Sequence, residues 1–416
     1  MNINKKIEKY FEEYMKVWPF SGVVSVVKDG EVLFSKGYGM ANIEHNIPND
    51  INTKYKIASI TKQFTCAGIM ILQQRGLIDV SDSISKFFPD YPGFNEKITI
   101  HHLMTHTSGL FNDLFKLDGY VKLEKCLLTH KEVLDIFCGM PAEFEPGEQW
   151  SYCYFGYYLL GLIIERVSGM SYIDFLKGNI FNPLGMVNTG LDDYFEIISN
   201  KVSGDYATEE RLVCGEIDTM SAFSAGAIYS TMEDMLIWDK ALYDDKILFK
   251  ESKDLMFTPG LERYGYGWFV DSYLNRNRVH HSGGGNGFNH QVHRYIDDKV
   301  TIMVFSNYGF SNSLKISEDI AKLVFNEEYY VPSKPKVYNL DTKTYESYMG
   351  VYEDSWCKFE VKKDGEKFCF IEDDKWIMNM YPISKNKFHH TWIDREYSFE
   401  KDSEGQLYFE EVKRRK

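Results

Sequence analysis

The sequence predicts an α+β fold. An antiparallel sheet is flanked by helices, a mostly helical subdomain is inserted, and an all-β small barrel follows. Three observations support this prediction. Strand-like segments occur near residue 20 and again between residues 264 and 306, and helical periodicity dominates from residue 60 to about 250. Short alternating segments return towards the C-terminus. We therefore expect one unit over residues 1–330 and a second over residues 337–416.

The first unit is expected to begin with an amphipathic helix over residues 4–18, followed by a hairpin. The segment SGVVSVVKDGEVLFSKGYG contains two strands that turn at Asp29-Gly30, a dipeptide favoured in tight hairpins. A long apolar helix then starts at Ser59. We expect it to end at Gly76, because glycine suits the left-handed residue that closes many helices.

The sheet is expected to be completed late in the first unit. Alternating patterns predict strands over residues 264–270, 278–284, 290–296 and 300–306, and the last two turn at Asp297-Asp298. A helix over residues 312–325 follows. Strands from both ends of the unit would then share one sheet.

The second unit follows VPSKPK at residues 331–336, where Pro332 and Pro335 indicate a linker. Beyond it, short alternating segments carry turn signals at Asp364-Gly365 and Glu404-Gly405. A small closed barrel is the simplest all-β arrangement of about eighty such residues. Three roles for this barrel are open: it would shape the entrance to an active site, support the formation of oligomers, or be a structural appendage.

The bulk composition excludes several classes of protein. A net charge of −14 and a pI near 5.3 argue against binding to nucleic acid or to an anionic membrane surface. No apolar run approaches the length of a transmembrane helix, and the charged N-terminal segment does not resemble a signal peptide. The seven scattered cysteines suit a reducing compartment. We therefore expect a cytoplasmic protein that does not associate with membranes.

Ser59 and Lys62 stand one helical turn apart at the start of the apolar helix. Residues at i and i+3 share a helix face, so the lysine amine can lie beside the serine oxygen and remove its proton. The spacing alone is a weak signal, because Ser-x-x-Lys also begins elsewhere, for example at Ser83. Ser59 as a simple N-cap is the alternative interpretation.

Further segments resolve that choice in favour of catalysis. They are ASITKQFT at 58–65, LMTHTSGL at 103–110, FEPGEQWSYCYFGYYLLG at 144–161, SAGAIYSTMEDMLIWDKAL at 224–242, HHSGGGNGF at 280–288 and VTIMVFSN at 300–307. In this order, they resemble the serine hydrolases of the class C β-lactamase and penicillin-binding protein superfamily, whose fold is β-lactamase/transpeptidase-like. The YESYMGVY segment at 345–352 resembles the start of the lipocalin-like domain that often follows in this superfamily.

The resemblance implies three catalytic residues. Ser59 corresponds to the acylated nucleophile, Lys62 to its proton acceptor, and Tyr152 to the tyrosine of the family's Tyr-x-Asn element, which acts as general acid and base. We expect the pKa of the Tyr152 phenol to be lowered by the nearby Lys62 cation.

The same resemblance implies a strand beside the nucleophile. His281, Ser282 and Gly283 match the family's Lys-Thr-Gly or His-x-Gly strand, and the backbone N–H groups of Ser59 and Gly284 would form the oxyanion hole. Glycine suits such a strand because its backbone can approach a substrate closely.

Two positions depart from the family pattern. Tyr154 replaces the asparagine of Tyr-x-Asn, and a phenol cannot offer both the acceptor and the donor of an amide. Tyr154 either contacts the substrate or packs among the neighbouring aromatic side chains. His281 stands where β-lactamases carry lysine, so the site has less fixed positive charge. Substrates held by a free carboxylate should gain less here.

A metal or nucleotide function is not expected. His102 and His106 are spaced i and i+4, and histidines cluster at 280, 281, 290 and 293, but neither group has the pattern of a zinc site. We expect His106 to form a hydrogen bond inside its own THTSGL turn. The glycine run from Gly283 to Gly287 is not followed by Gly-Lys-Ser/Thr. No cofactor is predicted.

The sequence thus predicts a serine hydrolase that forms an acyl-enzyme on a small amide, peptide or ester, similar to the esterases and D-aminopeptidases of the superfamily. Two alternatives stay open. The chain would be a true β-lactamase or D-alanyl-D-alanine carboxypeptidase, or a binding or sensor protein that deacylates slowly. The expected partners are a small molecule or short peptide, and a homo-oligomer is possible.

Overall fold

The structure is a computed structural model of the chain of 416 residues. The residues that it describes are 2–111, 128–192, 196–207, 212–214, 222–285, 287–353, 358–364, 367–372, 376–410 and 412–413.

The strands lie in three stretches of the chain. The first stretch contains β1 (Gly22–Lys28), β2 (Glu31–Tyr38), β3 (Met40–Asn42), β4 (Ile47–Pro48) and β5 (Tyr55–Lys56). The middle stretch contains β6 (Gly190–Leu191), β7 (Asp205–Ala207), β8 (Leu212–Cys214), β9 (Ile228–Ser230), β10 (Phe269–Tyr273), β11 (Arg276–Gly285), β12 (Phe288–Tyr295) and β13 (Val300–Ser306). The last stretch contains β14 (Gly350–Glu353), β15 (Lys358–Asp364), β16 (Lys367–Glu372), β17 (Trp376–Pro382), β18 (Lys387–His390), β19 (Glu396–Lys401), β20 (Leu407–Phe409) and β21 (Val412–Lys413).

Most helices lie between β5 and β10. The described helices are α1 (Ile3–Val17), α2 (Thr61–Gln74), α3 (Ile100–Met104), α4 (His130–Phe137), α5 (Tyr154–Ser168), α6 (Tyr172–Leu176), α7 (Asn182–Leu184), α8 (Phe223–Gly226), α9 (Met232–Ala241), α10 (Lys250–Met256), α11 (Ser313–Phe325) and α12 (Thr342–Tyr348). Gly76 has the left-handed φ of 68° that its predicted place after α2 requires. No helix in the described ranges is long and apolar enough to cross a membrane.

The central sheet has six antiparallel strands in the order β10-β11-β12-β13-β1-β2. Strands β1 and β13 pair from Gly22 opposite Ser306 to Lys28 opposite Val300, so both ends of the first unit meet in one sheet. This confirms the predicted fold class. The hairpin turns at Asp29 and Gly30, whose φ angles are 52° and 78°, as a tight turn of this type requires.

One predicted strand is wrong in its position. The pattern over residues 264–270 predicted a strand, but β10 covers Phe269–Tyr273. The preceding residues turn instead, because the Gly265 N–H donates to the carbonyl oxygen of Trp268 at 2.8 Å. Gly267 adopts a φ of 78°, and a Cβ atom there would lie 2.8 Å from the Lys62 carbonyl oxygen. Tertiary contact with α2 therefore overrides the local strand pattern.

The sheet separates two hydrophobic cores. Alternate residues of β1 point to opposite faces, so Val23 packs with the helical region while Val24 and Val26 pack with α1 and α11. The larger core surrounds α2 and α5, which are buried along nearly their whole length. Because α2 is buried, packing fixes the position of its N-terminal end.

The C-terminal strands form an antiparallel series from β14 to β21, and the first and last strands lie next to each other. The core of this small barrel is rich in aromatic rings, including Tyr352, Phe359 and Phe399. The turn predicted at Glu404-Gly405 joins β19 to β20, with φ of 81° at Gly405. Gly365, in the other predicted turn, lies outside the described residues.

The barrel contacts the outer face of the first unit. Its His389 ring stacks on Trp18 with centroids 4.9 Å apart, and Lys315 Nζ lies 3.5 Å from an Asp394 carboxylate oxygen. Asn312 donates from its side-chain amide to the Asp394 carbonyl oxygen at 2.7 Å. Residues 331–336 between the two units have no regular secondary structure. That each unit folds independently, with limits at residues 330 and 337, stays a prediction.

Candidate active site

Ser59 lies in a short 3₁₀ turn, Ala58–Ile60, that leads directly into α2. Ala58 adopts a φ of 48°, a left-handed conformation that costs a non-glycine residue energy and is common at functional sites. The chain just before this turn is held in place because the Ile57 N–H donates to the Ile228 carbonyl oxygen at 2.9 Å. The turn holds the Ser59 side chain half-buried at the start of a buried helix.

Lys62 lies one turn further along, with a relative exposure of 1%. Its Nζ atom is 3.1 Å from the Ser59 Oγ and donates to the Ala225 carbonyl oxygen at 2.7 Å. Burial lowers the pKa of the Lys62 amine to about 7, because the charged form loses its hydration. A large share of Lys62 is therefore neutral near pH 7 and able to accept a proton.

Tyr152 approaches Ser59 from the irregular segment before α5. Its hydroxyl lies 2.8 Å from the Ser59 Oγ, and Lys62 Nζ lies 4.8 Å from the centre of its ring. The expectation that Lys62 lowers the phenol pKa is wrong for this structure. Desolvation raises the pKa of Tyr152 well above its usual value, and the hydrogen bond with Ser59 offsets only part of that increase. Tyr152 is therefore a neutral phenol at neutral pH.

His281 lies behind the same group on β11 and is buried. Its Nδ1–H donates to the Ser282 carbonyl oxygen at 2.6 Å, and its Nε2 accepts from the Tyr264 hydroxyl at 2.9 Å. These partners define a neutral imidazole. Burial, with a contribution from the nearby Lys62, lowers the pKa of His281 to about 3. The side chain adds no fixed charge to the site.

Strand β11 packs its glycines against the turn that contains Ser59. A Cβ atom at Gly283 would lie 2.3 Å from the Ile57 carbonyl oxygen, so only glycine fits there without displacement. Ser282 and Gly284 alternate with Gly283 along β11 and are exposed to solvent. The structure thus brings the predicted nucleophile turn and the predicted substrate strand into direct contact.

Tyr154 is the first residue of α5 and is partly buried against the main core. Its ring lies 6.5 Å from that of Tyr158, in a tilted arrangement. Packing among neighbouring aromatic side chains is thus observed, while a role towards the substrate stays a prediction.

Sequence reasoning missed three groups that hold these side chains. The Ala225 carbonyl oxygen binds Lys62, Tyr264 binds His281, and His106 binds the segment around Tyr152. His106 was expected to form its hydrogen bond inside its own turn, but its Nδ1 accepts from the Cys153 N–H instead. The LMTHTSGL and SAGAIYS segments contain His106 and Ala225 but not Tyr264, and only the tertiary contacts reveal the partners of all three.

The remaining clustered histidines have partners within the fold. The His290 Nε2–H donates to the Lys56 carbonyl oxygen at 3.0 Å, and His280 Nε2 lies 3.3 Å from an Asp271 carboxylate oxygen. Within the part of the chain that the structure describes, no group of three or more His, Cys, Asp or Glu side chains is arranged to hold a metal ion.

The arrangement of Ser59, Lys62 and Tyr152 has the elements of nucleophilic catalysis. A hydroxyl lies within hydrogen-bond distance of an amine that can be neutral and of a phenol that can donate a proton. The N-terminal end of α2 adds a favourable potential for negative charge that develops nearby.

Comparison with known proteins agrees with this geometry. Penicillin-binding protein 4* of Bacillus subtilis (strain 168) is 29% identical over 421 residues, covering 93% of this chain and 91% of that protein. The octameric penicillin-binding protein homologue from Pyrococcus abyssi has a TM-score of 0.70 at 25% identity, and 99% of each chain is covered. The D-amino acid amidase from Ochrobactrum anthropi SV3 shares the fold, with a TM-score of 0.69 at 21% identity over 79% of this chain and all of that one. The model of the Beta-lactamase family matches residues 7–326, and the chain therefore belongs to the β-lactamase family.

Proposed function

We propose that this protein is a serine hydrolase that forms an acyl-enzyme at Ser59 on a small amide, peptide or ester. One observation carries the proposal. The Ser59 Oγ has both a buried amine at 3.1 Å and a phenol at 2.8 Å, and the pKa of that amine is about 7. Family membership supports the general chemistry of a serine hydrolase.

In acylation, neutral Lys62 accepts the Ser59 proton while Oγ bonds to the carbonyl carbon of the substrate. The Tyr152 phenol then donates its proton to the departing nitrogen or oxygen as the bond from carbon to the leaving group breaks. The proton on Lys62 returns to Tyr152 and restores the phenol. The net change is an ester at Ser59 and a protonated leaving group, so atoms and charges balance.

In deacylation water is the nucleophile, and Lys62 again acts as the base. It accepts a proton from water as the water oxygen attacks the ester carbon, and that proton passes to the Ser59 Oγ as the bond from carbon to Oγ breaks. We assign the oxyanion hole to the backbone N–H groups of Ser59 and Gly284. Support comes from the packing of β11 against the Ser59 turn and from the solvent exposure of Gly284.

We assign the substrate to esters, amides or amino-terminal peptides rather than to substrates held by a carboxylate. His281 is neutral and buried, so it offers such a carboxylate no charge. The names of relatives favour a second candidate, in which the chain binds penicillin as a D-alanyl carboxypeptidase or β-lactamase does. A slowly deacylating sensor is distinguished from both by burst kinetics without turnover.

A substrate panel tests the proposal. Activated esters, D- and L-aminoacyl anilides and a cephalosporin would be assayed for turnover, and the trapped acyl-enzyme would be located by mass spectrometry. Labelling should occur at Ser59 and vanish in Ser59→Ala. Ser83→Ala is the matched control, because Ser83 also precedes a lysine by three residues and begins a 3₁₀ turn. Labelling that persists in Ser59→Ala contradicts the mechanism.

A second variant tests the base. Lys62→Met keeps an unbranched side chain of similar length and removes the amine. We expect it to lower kcat/KM by roughly the 10²–10⁴-fold that is typical of a lost general base. A loss of less than about threefold would assign the base to another group.

Assembly and location are also proposals. We infer a homo-oligomer, supported by the octameric homologue that matches nearly the whole chain. Light scattering of the purified protein measures its mass directly. The cytoplasmic location stays a prediction from the composition, and cell fractionation would test it.

A further inference from the structure

The segment that contains Tyr152 has no regular secondary structure of its own, although its hydroxyl must stay within bonding distance of Ser59. Both peptide N–H groups that flank Tyr152 donate to a single residue. The Ser151 N–H donates to the His106 carbonyl oxygen at 3.0 Å, and the Cys153 N–H donates to the His106 Nδ1 at 2.9 Å. His106 therefore holds the tyrosine from both sides.

The His106 ring is also in contact with the rings beside Lys62. Its centroid lies 4.3 Å from that of Tyr152 and 4.9 Å from that of Tyr157. Lys62 Nζ lies 4.8 Å from the first of these tyrosine rings and 5.3 Å from the second. The imidazole is a spacer between the two rings that line the lysine amine.

The hydrogen bonds fix the protonation state of His106. Nδ1 accepts from a peptide N–H, so the ring proton lies on Nε2, which has no hydrogen-bond partner within the described ranges. A second proton on Nδ1 would oppose the Cys153 N–H, and burial beside Lys62 and His281 also holds the pKa of His106 well below its usual value. His106 is therefore neutral, and its Nδ1 accepts a hydrogen bond. Its backbone is left-handed, with φ of 59°.

We propose that His106 is a positioning residue, which aims the Tyr152 hydroxyl at the leaving group through the Cys153 and Ser151 peptides and through its ring. This inference rests on the proposed function, in which Tyr152 protonates the leaving group. A nitrophenolate leaves without a proton, whereas an alkoxide or an anilide needs one. Substitution of His106 should thus impair substrates with poor leaving groups selectively.

The experiment compares a p-nitrophenyl ester with the ethyl ester and the anilide of the same acid. His106→Gly keeps the left-handed backbone but removes the acceptor and the ring, whereas His106→Asn tolerates that backbone and keeps an acceptor. We expect His106→Gly to lower kcat/KM for the poor leaving groups by roughly 10–100-fold and for the nitrophenyl ester by less than about threefold, since a misplaced group can cost about 10²-fold. His106→Asn should recover part of the loss.

A double-mutant cycle with Tyr152→Phe distinguishes positioning of the Tyr152 hydroxyl from a general disturbance of the site. If His106 acts through the Tyr152 hydroxyl, His106→Gly should change kcat/KM by less than about threefold in the Tyr152→Phe background. His102→Asn is the matched control, because His102 lies four positions before His106, in α3, where its Nδ1 accepts from the Thr99 N–H. Thermal unfolding verifies that each variant folds. If His106→Gly does not fold, the same comparison of leaving groups is made with His106→Asn.

The outcomes distinguish this inference from the proposed function. Equal losses for both classes of leaving group, or losses that add fully to those of Tyr152→Phe, overturn the positioning role alone. A parent enzyme that neither turns over the esters nor labels at Ser59 overturns the proposed function and this inference together.

Discussion

The Ala225 carbonyl oxygen accepts a hydrogen bond from the Lys62 amine at 2.7 Å, while that amine lies 3.1 Å from the Ser59 Oγ. The carbonyl fixes the direction of the amine without adding a negative charge. A carboxylate in its place would favour the ammonium form and raise the lysine pKa. Because the partner is neutral, burial dominates, and the pKa of Lys62 falls to about 7.

The first prediction is a pH profile governed by Lys62. The deprotonated amine is the active form, so kcat/KM for a neutral ester should rise with pH through a midpoint near 7 and then reach a plateau. Tyr152 should add no second inflection in this range, because its raised pKa keeps it protonated. The measurement is the rate between pH 5.5 and 9, with Lys62→Met as control. A midpoint above pH 9 would mean that Lys62 keeps its charge.

The residues that meet at this site were predictable because each lies in a short segment that resembles a motif of the family. Ser59 and Lys62 share one helical turn, and His281 precedes glycines on a strand. The structure brings these together with Tyr152, and the catalytic role of each stays a proposal. Hairpin signals at both ends of the unit also led to the prediction that strands from these ends share one antiparallel sheet, which the structure confirms.

Properties that depend on tertiary packing were not predictable. The pKa of Tyr152 was expected to fall, but desolvation by side chains distant in sequence raises it. His106 binds Cys153, which is 47 positions away, and no local pattern specifies that contact. The start of β10 was misplaced for the same reason, since Gly267 packs on the backbone of α2. Local periodicity carries no information about such contacts.

The second prediction is a loss of stability in acid. Burial lowers the pKa of His281 to about 3 and those of His290 and His390 to about 4, whereas all three titrate near 6.5 when unfolded. At pH values between the folded-state and unfolded-state pKa values, the unfolded chain binds more protons than the folded chain. The free energy of unfolding therefore falls as the pH falls below about 6.5. Each such histidine contributes about 1.4 kcal/mol per pH unit.

The measurement for this prediction is the free energy of unfolding from pH 7 to pH 4. His390 Nδ1 accepts from the Trp392 and Ile393 N–H groups, so His390→Asn keeps an acceptor but removes one titrating group. The slope with pH should be smaller in this variant. An identical slope would show that His390 is not neutral in the folded state.

The third prediction concerns the contact between the two units. A chain ending at residue 330 should fold and still be labelled at Ser59, because the sheet and both cores of the first unit precede that point. It should be less stable than the full chain by roughly 1–3 kcal/mol, since Trp18, which is 1% exposed, loses its stacking on His389. Thermal unfolding of both chains provides the comparison. A truncated chain without a cooperative transition would show that the barrel completes the fold.

The fourth prediction addresses substrate choice at Tyr154 and His281. The family asparagine and lysine are both absent, so cephalosporin hydrolysis by the parent should be slow relative to that of an activated ester. Tyr154→Asn restores an amide that can donate and accept. We expect it to shift the ratio of kcat/KM towards the cephalosporin by an amount equivalent to roughly 1–3 kcal/mol, the scale of a polar contact in a pocket.

Adding His281→Lys should shift the ratio of kcat/KM further towards the cephalosporin. The shift should be smaller than a fully charged lysine side chain would produce. The introduced amine would be buried near Lys62, so desolvation and repulsion would lower its pKa, and the Tyr264 hydroxyl would lose its acceptor. The double variant should therefore be less stable than Tyr154→Asn, and its preference for the cephalosporin should increase with decreasing pH as the new amine becomes charged.

The test is kcat/KM for one cephalosporin and one ester on the parent, both single variants and the double variant. Efficient cephalosporin hydrolysis by the parent, or a ratio that does not move in any variant, would contradict this account of the two departures.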